Sequence, residues 1–317
     1  MSFDNISEER CQRRMAVSIH RIGDITLRTE TDISIPYIQE GCFTNFLASN
    51  GKPDAFLSIR EFNRNSFTLP PLDDYERQSL LRCVGFQKHW LDNPIFQSPD
   101  VRRVVMRCLD RPELVHIALN WNRAIFRNYS RSEITLFYPP ERLKELTDPL
   151  FHARFRNLFF AFLPCFSALL IHGAGIIRKS RAVIFLAHGE GGKTTTASHA
   201  LPETVLSDDQ VILRKKDNRI TVHSTPFGVT GQCPRQARLG GLFLLEKAPH
   251  FELVPLKPGE VLQFIWKEHF HNWFVFPREF RIRAFEILYR ACTRVPVYKM
   301  RFPKDFVDWG AIDRAME

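Results

Sequence analysis

The sequence predicts an α/β protein in two parts: a mixed α/β domain over residues 1–147 and a second α/β domain over residues 148–317. Three observations carry that expectation. A glycine loop, "AHGEGGK" (187–193), joins a short apolar strand pattern to a helical one. Strand-like alternation and amphipathic helical spacing both occur, which marks a mixed chain. After "PPERLKELTDPL" (139–150) the apolar density rises and the pattern changes, placing the boundary near residue 147.

In the first part, "AVSIHRIGDITLRT" (16–29) and "AFLSIREF" (55–62) alternate apolar and polar residues and are rich in β-branched ones, so they read as strands. "DYERQSLLRCVGFQKHW" (74–90) and "SPDVRRVVMRCL" (98–109) read as helices, the second with Ser98 as N-cap and Pro99 at its first position. "ELVHIALNWNRAIFRNY" (113–129) and "SEITLFYPP" (132–140) return to strand character. This part shows no recognisable chemistry of its own.

The second part opens with "LFFAFLPCFSALLI" (158–171), an apolar run of 14 residues interrupted by Pro164. A spanning helix wants about 18 or more, so the run reads as a buried helix and no membrane span is expected. The strand patterns "ALLIHGAGII" (168–177) and "RAVIFLA" (181–187) follow, then the glycine loop and a short helix ended by Pro202. "TVLSDDQVIL" (204–213), the turn "KKDN" (215–218), "RITVHST" (219–225) and "LGGLFLLEKA" (239–248) complete a run of strands. "FIWKEHFHNWFVFPREFRIR" (264–283) interleaves aromatics with bases, as a platform for a peptide or single-stranded nucleic acid would. Core packing with a charged outer face is the better reading, and His269 and His271 lack a third ligand nearby. "RAFEILYRACTRV" (283–295) reads as an amphipathic helix with Phe285, Leu288 and Cys292 near one face.

Composition narrows the classes. The chain is 44% hydrophobic and 25% charged, ordinary for a globular protein. "MSFDNISEERCQRR" alternates acids and bases with no apolar secretory segment, so a cytoplasmic location is expected. Seven cysteines are scattered, odd in number and without a CxxC pair, which argues against a disulfide scaffold and a zinc ribbon. The net charge of +9 favours anionic partners without choosing among them.

The glycine loop carries the chemistry. Gly189, Gly191 and Gly192, with Glu190 between them, let successive backbone N–H groups turn inward around an anion, and a helix beginning near Lys193 adds its positive end. Lys193 supplies a point charge for the outer phosphates, and the hydroxyl of Thr194 can coordinate Mg²⁺. The phosphate-loop consensus wants a glycine where this chain has Ala187. A plain strand–turn–helix would also use such glycines, but strand, loop and helix stand in the order a phosphate cradle needs. Asp208 and Asp209 follow on the next strand pattern; alone they would be a solvated acidic turn, whereas beside the loop they can hold a metal and accept a hydroxyl proton. His172, in the strand pattern before the loop, would on its own read as a core histidine.

The order of His172–Gly173, glycine loop and Asp208–Asp209 resembles the HPr kinase/phosphorylase family and its wider HPr-kinase-like relatives. It is also similar, more distantly, to the nucleotide core of ATP-dependent phosphoenolpyruvate carboxykinase. The resemblance covers Leu169 to Glu246, including "ITVHSTPFG" (220–228) and "ARLGGLFLLEK" (237–247). It implies an HPr-kinase-like fold over 148–317, with ATP and Mg²⁺ as cofactors. It further implies that Gly189, Gly191, Gly192, Lys193, Thr194 and Thr195 bind phosphates and metal. Asp208 becomes the leading base, Asp209 lies nearer the metal, and His172 lies beside the transferred phosphate. The glutamate-arginine-glycine signature of the bifunctional enzymes is missing. The better comparison is therefore with relatives that accompany peptide-modifying gene cassettes, some of which phosphorylate a serine on a precursor peptide.

The expectation is an ATP-dependent kinase acting on a serine or threonine hydroxyl of a peptide or protein. A small-molecule kinase and a non-catalytic nucleotide-sensing or peptide-binding module are the alternatives. Nucleic acid is not the expected partner, a homo-oligomer stays open, and Arg235 and Arg238 are the nearest arginines in sequence to the site.

Overall fold

Alternating burial shows why the first part forms strands. In β2 (Ile25–Thr31) every second residue is fully covered, so one face of the strand meets the core. The computed structural model describes residues 16–32, 41–49, 51–62, 67–120, 123–139, 150–228, 233–269 and 276–317. These fall into two compact units that divide between Ala153 and Arg154, the second also taking in residues 21–25 and 42–46. The molecule is mixed α/β, with two mixed sheets.

β1 (Ala16–Ile22) and β2 are joined by a tight turn in which Gly23 and Asp24 have φ of 62° and 58°. β3 (Ala55–Glu61), α1 (Asp74–Leu81), α2 (Pro99–Cys108), β4 (Val115–Asn120), β5 (Arg123–Asn128) and β6 (Glu133–Tyr138) follow. The sheet order is β1-β2-β3-β6-β5-β4, with β2, β3 and β6 parallel and the last pairs antiparallel. Val101, Val104, Val105 and Cys108 on α2 pack with Phe126 and Phe137 of the sheet in one apolar cluster. The helix expected over 74–90 stops at Leu81. Gly85 then takes φ 75° so that Val84 can pair with His116 of β4, and a Cβ there would lie 2.6 Å from the His116 ring. Ser98 does hold the N-cap position of α2, but its side chain makes no capping hydrogen bond.

The second unit contains α3 (Leu150–Phe162, its first residues belonging to the other unit), β7 (Ala168–His172), β8 (Ala174–Arg178), β9 (Arg181–Leu186) and α4 (Lys193–Ser198). It continues through β10 (Val205–Ser207), β11 (Gln210–Lys216), β12 (Arg219–His223), β13 (Gln236–Lys247), β14 (Glu252–Pro255), α5 (Pro258–His269), α6 (Arg278–Arg294), β15 (Val297–Phe302) and α7 (Trp309–Ala315). The apolar run 158–171 is therefore not one helix. Helix gives way at Leu163 to a short 3-10 turn holding Pro164, and Ser167, at φ 53°, turns the chain into β7. On α6, Leu288 and Cys292 are buried as the amphipathic pattern suggests, but Phe285 faces outward.

The sheet order is β10-β8-β9-β13-β12-β11-β7, and β15 joins the second half of β13 with β14 beyond it. β7 and β8 are two halves of one run broken at Gly173; β10 and β11 are halves of another broken at Asp208–Asp209. The runs are antiparallel neighbours, with Gln210 opposite His172 and Ser207 opposite Gly175. Because β8 also pairs with β9, the hydrogen-bonded path bends back on itself. The close approach leaves no room for side chains on the glycines: a Cβ on Gly175 would lie 2.6 Å from Val211 Cγ1. Among the described residues no helix is long and apolar enough to cross a membrane.

In the first unit, Glu76 both completes a capping box with Asp73 and pairs with Arg102 at 3.0 Å under cover of the core. Removing one partner of a covered ion pair leaves a charge uncompensated. Glu76→Ala is expected to cost about 3 kcal/mol, read as a lowered urea midpoint of the full chain, and Glu76→Leu with Arg102→Met is expected to recover most of it.

Candidate functional site

β9, β13 and β15 are parallel neighbours, so their carboxyl ends lie side by side. In α/β sheets such ends are where connecting loops can surround a ligand. The loop 187–192 leaves β9 at this edge and enters α4. Its three glycines have different reasons. A Cβ on Gly189 would meet nothing within 4 Å, whereas one on Gly191 would come within 2.4 Å of Ala187 Cβ. Gly192 has φ 98°, and a Cβ there would reach 2.8 Å from Phe302 Cζ on β15. Glu190 adopts φ 58°, so the loop holds two left-handed residues within three positions.

Lys193 is turned back into this loop. Its ammonium donates to the carbonyls of Ala187 and His188, both at 3.2 Å, and the residue is 7% exposed. Burial pushes its pKa below the usual lysine value, partly offset by the charges of Asp209 and Glu268. Thr194 is exposed and Thr195 half-buried, while Thr196 is buried and its hydroxyl donates to Gly192 O at 2.9 Å. The far end of α4 is fastened by His199 Nε2 at 2.9 Å from Lys304 O, and by Trp309 Nε1 donating to His199 O.

The paired bends in the sheet bring the other expected residues together. Gly173 N–H donates to Asp209 O at 2.9 Å. Across the same bend His172 Nε2 donates to Asp209 Oδ1 at 3.0 Å, and Arg156 Nη1 on α3 lies 3.7 Å from Asp209 Oδ2. Ser207 Oγ accepts the N–H groups of Asp209 and Gln210, which shapes the turn. The two aspartates differ in access: Asp208 is 2% exposed, whereas the Asp209 side chain is 35% exposed. Burial alone would raise the Asp209 pKa, but the hydrogen bond and charge of His172, then Arg156 and Lys193, outweigh it and hold the carboxyl below its ordinary value. Lys193 and Asp209 are thus close enough for each charge to act on the other.

No protein-family model and no curated protein matches the chain.

Several residues at the site carry no motif in the sequence. Arg156 lies in the apolar stretch before β7, and it, rather than the exposed Arg235 or Arg238, is the guanidinium at the carboxylate. His188 Nδ1 lies 3.0 Å from Glu268 on α5, and its ring packs edge-on to Phe264 at 4.8 Å, which braces the loop. A cavity of about 290 Å³ adjoins the loop, lined by Glu190, Gly192 and Thr195 on one side and by Lys247, Phe302 and Lys304 on the other. Lys247 and Phe302 are the last residues of β13 and β15, so strand-end position was the one available signal. Residues 270–275 of the aromatic-basic run lie outside the described residues. Among the described residues no three or more His, Cys, Asp or Glu side chains gather to hold a metal ion by themselves. A site for Mg²⁺ would therefore draw oxygens from a bound nucleotide, as such sites commonly do.

A carboxyl whose folded pKa is depressed contributes stability above its unfolded pKa and loses it as pH falls through the folded value. Asp209→Asn is expected to be less stable than the native chain at neutral pH, with the gap in urea midpoint closing as pH falls below 3.8, the ordinary carboxyl value. A gap that persists unchanged in acid would mean the His172 and Arg156 contacts do not act through the Asp209 charge.

Proposed function

We propose that the chain is an ATP-dependent phosphotransferase, HPr-kinase-like in its second unit, which moves the γ-phosphoryl group of MgATP to a serine or threonine hydroxyl of a peptide or protein. The observation that carries the reading is the meeting of two features at one sheet edge: a loop too tight for side chains at Gly191 and Gly192 with Lys193 folded into it, and the Asp209–His172–Arg156 cluster whose charge reaches that lysine.

The residues fit the nucleotide. Lys193, released from the loop carbonyls, would hold the outer phosphates, and the exposed hydroxyl of Thr194 would face the metal. The cavity beside Gly192 would take the nucleoside, with the Phe302 ring as a flat apolar wall and Lys247 and Lys304 at its rim. When bound, MgATP supplies the transferable phosphoryl group and the cation that offsets its charge.

For the proton, the geometry favours Asp209 over Asp208. A base must reach the incoming hydroxyl, and Asp209 carries the accessible carboxylate. His172 engages Oδ1, while Oδ2, 3.7 Å from Arg156 Nη1 and so beyond hydrogen-bond distance of it, would accept the proton. Arg156 is positioned to meet negative charge on the transferring group. Asp208, buried, supports the bend. A chain-borne acceptor is favoured by the surface of α5 and α6, where Trp266, Phe285 and Tyr289 form an exposed aromatic row with ring centroids 5.6 and 6.4 Å apart. Such patches commonly meet another protein.

With ATP labelled at the γ-phosphate and serine-containing peptides supplied, label is expected to appear on peptide. Lys193→Ala is expected to abolish transfer; unaltered turnover would sink the assignment. Label on a small molecule or only as free phosphate would remove the peptide acceptor. Asp209→Asn is expected to keep nucleotide affinity and slow transfer by about 10²–10⁴-fold. If Asp208→Asn loses transfer while Asp209→Asn retains it, the two aspartates exchange roles.

A further inference from the structure

A second cavity, of about 250 Å³, lies wholly within the first unit. It sits at the carboxyl ends of parallel strands: Asp32 follows β2, and Arg60 and Glu61 end β3. Ser58 of β3 and Thr135 of β6 are direct neighbours in register, so two hydroxyls stand side by side on its floor. α2 closes it with Arg103 and Arg107.

The arginines of α2 divide by role. Arg102 is built into the fold, paired with Glu76 at 3.0 Å and donating to the carbonyls of Pro70 and Pro71. Arg103 and Arg107 stand one turn apart on the cavity side, where like charges repel. The carboxylate of Asp100 is 3.8 Å from Arg103, with both side chains largely in water. Among the described residues, the Arg107 guanidinium and the hydroxyls of Ser58 and Thr135 have no protein partner, although Thr135 is only 7% exposed. These groups line the cavity, where a polar ligand can meet them.

Charge sets the ligand class. Arg60, Arg103 and Arg107 are balanced by Asp32, Glu61 and Asp100 in the same lining, so the cavity has little net pull on a plain anion. Asp32 faces it half-buried, both its oxygens accepting the Glu61 N–H at 3.0 Å. Burial raises its pKa, a cost that a neighbouring cation would relieve. The volume is below the roughly 300–1,000 Å³ of pockets for drug-sized ligands. We infer that this cavity binds a small zwitterion of the α-amino-acid class, its carboxylate on Arg107 and Arg103 with the Ser58 and Thr135 hydroxyls, its ammonium toward Asp32. The inference is independent of the phosphotransferase reading.

Calorimetric titration of the full chain at low ionic strength tests it, with the standard amino acids as probes and acetate, inorganic phosphate and methylammonium as single-charge controls. At least one amino acid is expected to saturate the site, well ahead of every control. Arg107→Gln is expected to weaken that binding roughly tenfold or more, as loss of a charge-assisted hydrogen bond does. Arg107 is itself exposed and makes no side-chain hydrogen bond or ion pair among the described residues, so an unchanged unfolding midpoint should accompany the substitution. Absence of saturable binding into the millimolar range, phosphate or acetate binding as tightly as the amino acid, or affinity indifferent to Arg107→Gln would each overturn the inference.

Discussion

The hydrogen bond from Gly173 N–H to Asp209 O joins two bends, and the candidate site depends on it. Each bend interrupts a strand run, and an interrupted ladder leaves backbone groups that must find partners under cover. Here they find one another. The register that follows sets Gln210 against His172, so that His172 at the end of β7 faces Asp209 in the bend just before β11. Side chains held by a sheet are positioned more firmly than side chains on a free turn.

The glycine loop is constrained from a different direction. Phe302, the last residue of β15, presses on Gly192, and Ala187 presses on Gly191. β13 makes that contact reachable: at 12 residues it is long enough to pair with β9 along one edge while its other edge serves β12 first and β15 later. The loop therefore rests against a strand more than a hundred residues away in sequence. The same chemistry of strand ends shapes the cavity in the first unit, where parallel strands again deliver charged residues to one edge.

Local pattern made much of this legible. "RAVIFLA" is an apolar run of strand length bounded by a turn, and it forms β9; "SPDVRRVVMRCL" carries helical spacing behind Ser-Pro, and it forms α2. Where a pattern outran its element, a long-range contact intervened. The helix begun at Asp74 ends early because Val84 pairs with β4, and the 158–171 run splits because its second half is needed as a strand beside β11. Arg156, Lys247 and Phe302 carry no motif, since each becomes part of a site only through a partner distant in the chain.

Already in the amino-acid order lay the mixed α/β character, the strand–glycine–helix order around Lys193, and the grouping of His172, Asp208 and Asp209 near that loop. The first two follow from periodicity and spacing, which are local, and the place of His172 beside the aspartates from the resemblance to HPr-kinase-like sequences. Folding in three dimensions then fixed that Asp209 is accessible and Asp208 buried, that Arg156 comes within 3.7 Å of Asp209, and that Gly189 is free of the packing that Gly191 and Gly192 must satisfy. Access, charge proximity and steric room are properties of space around a residue, and that space is filled by segments remote in sequence.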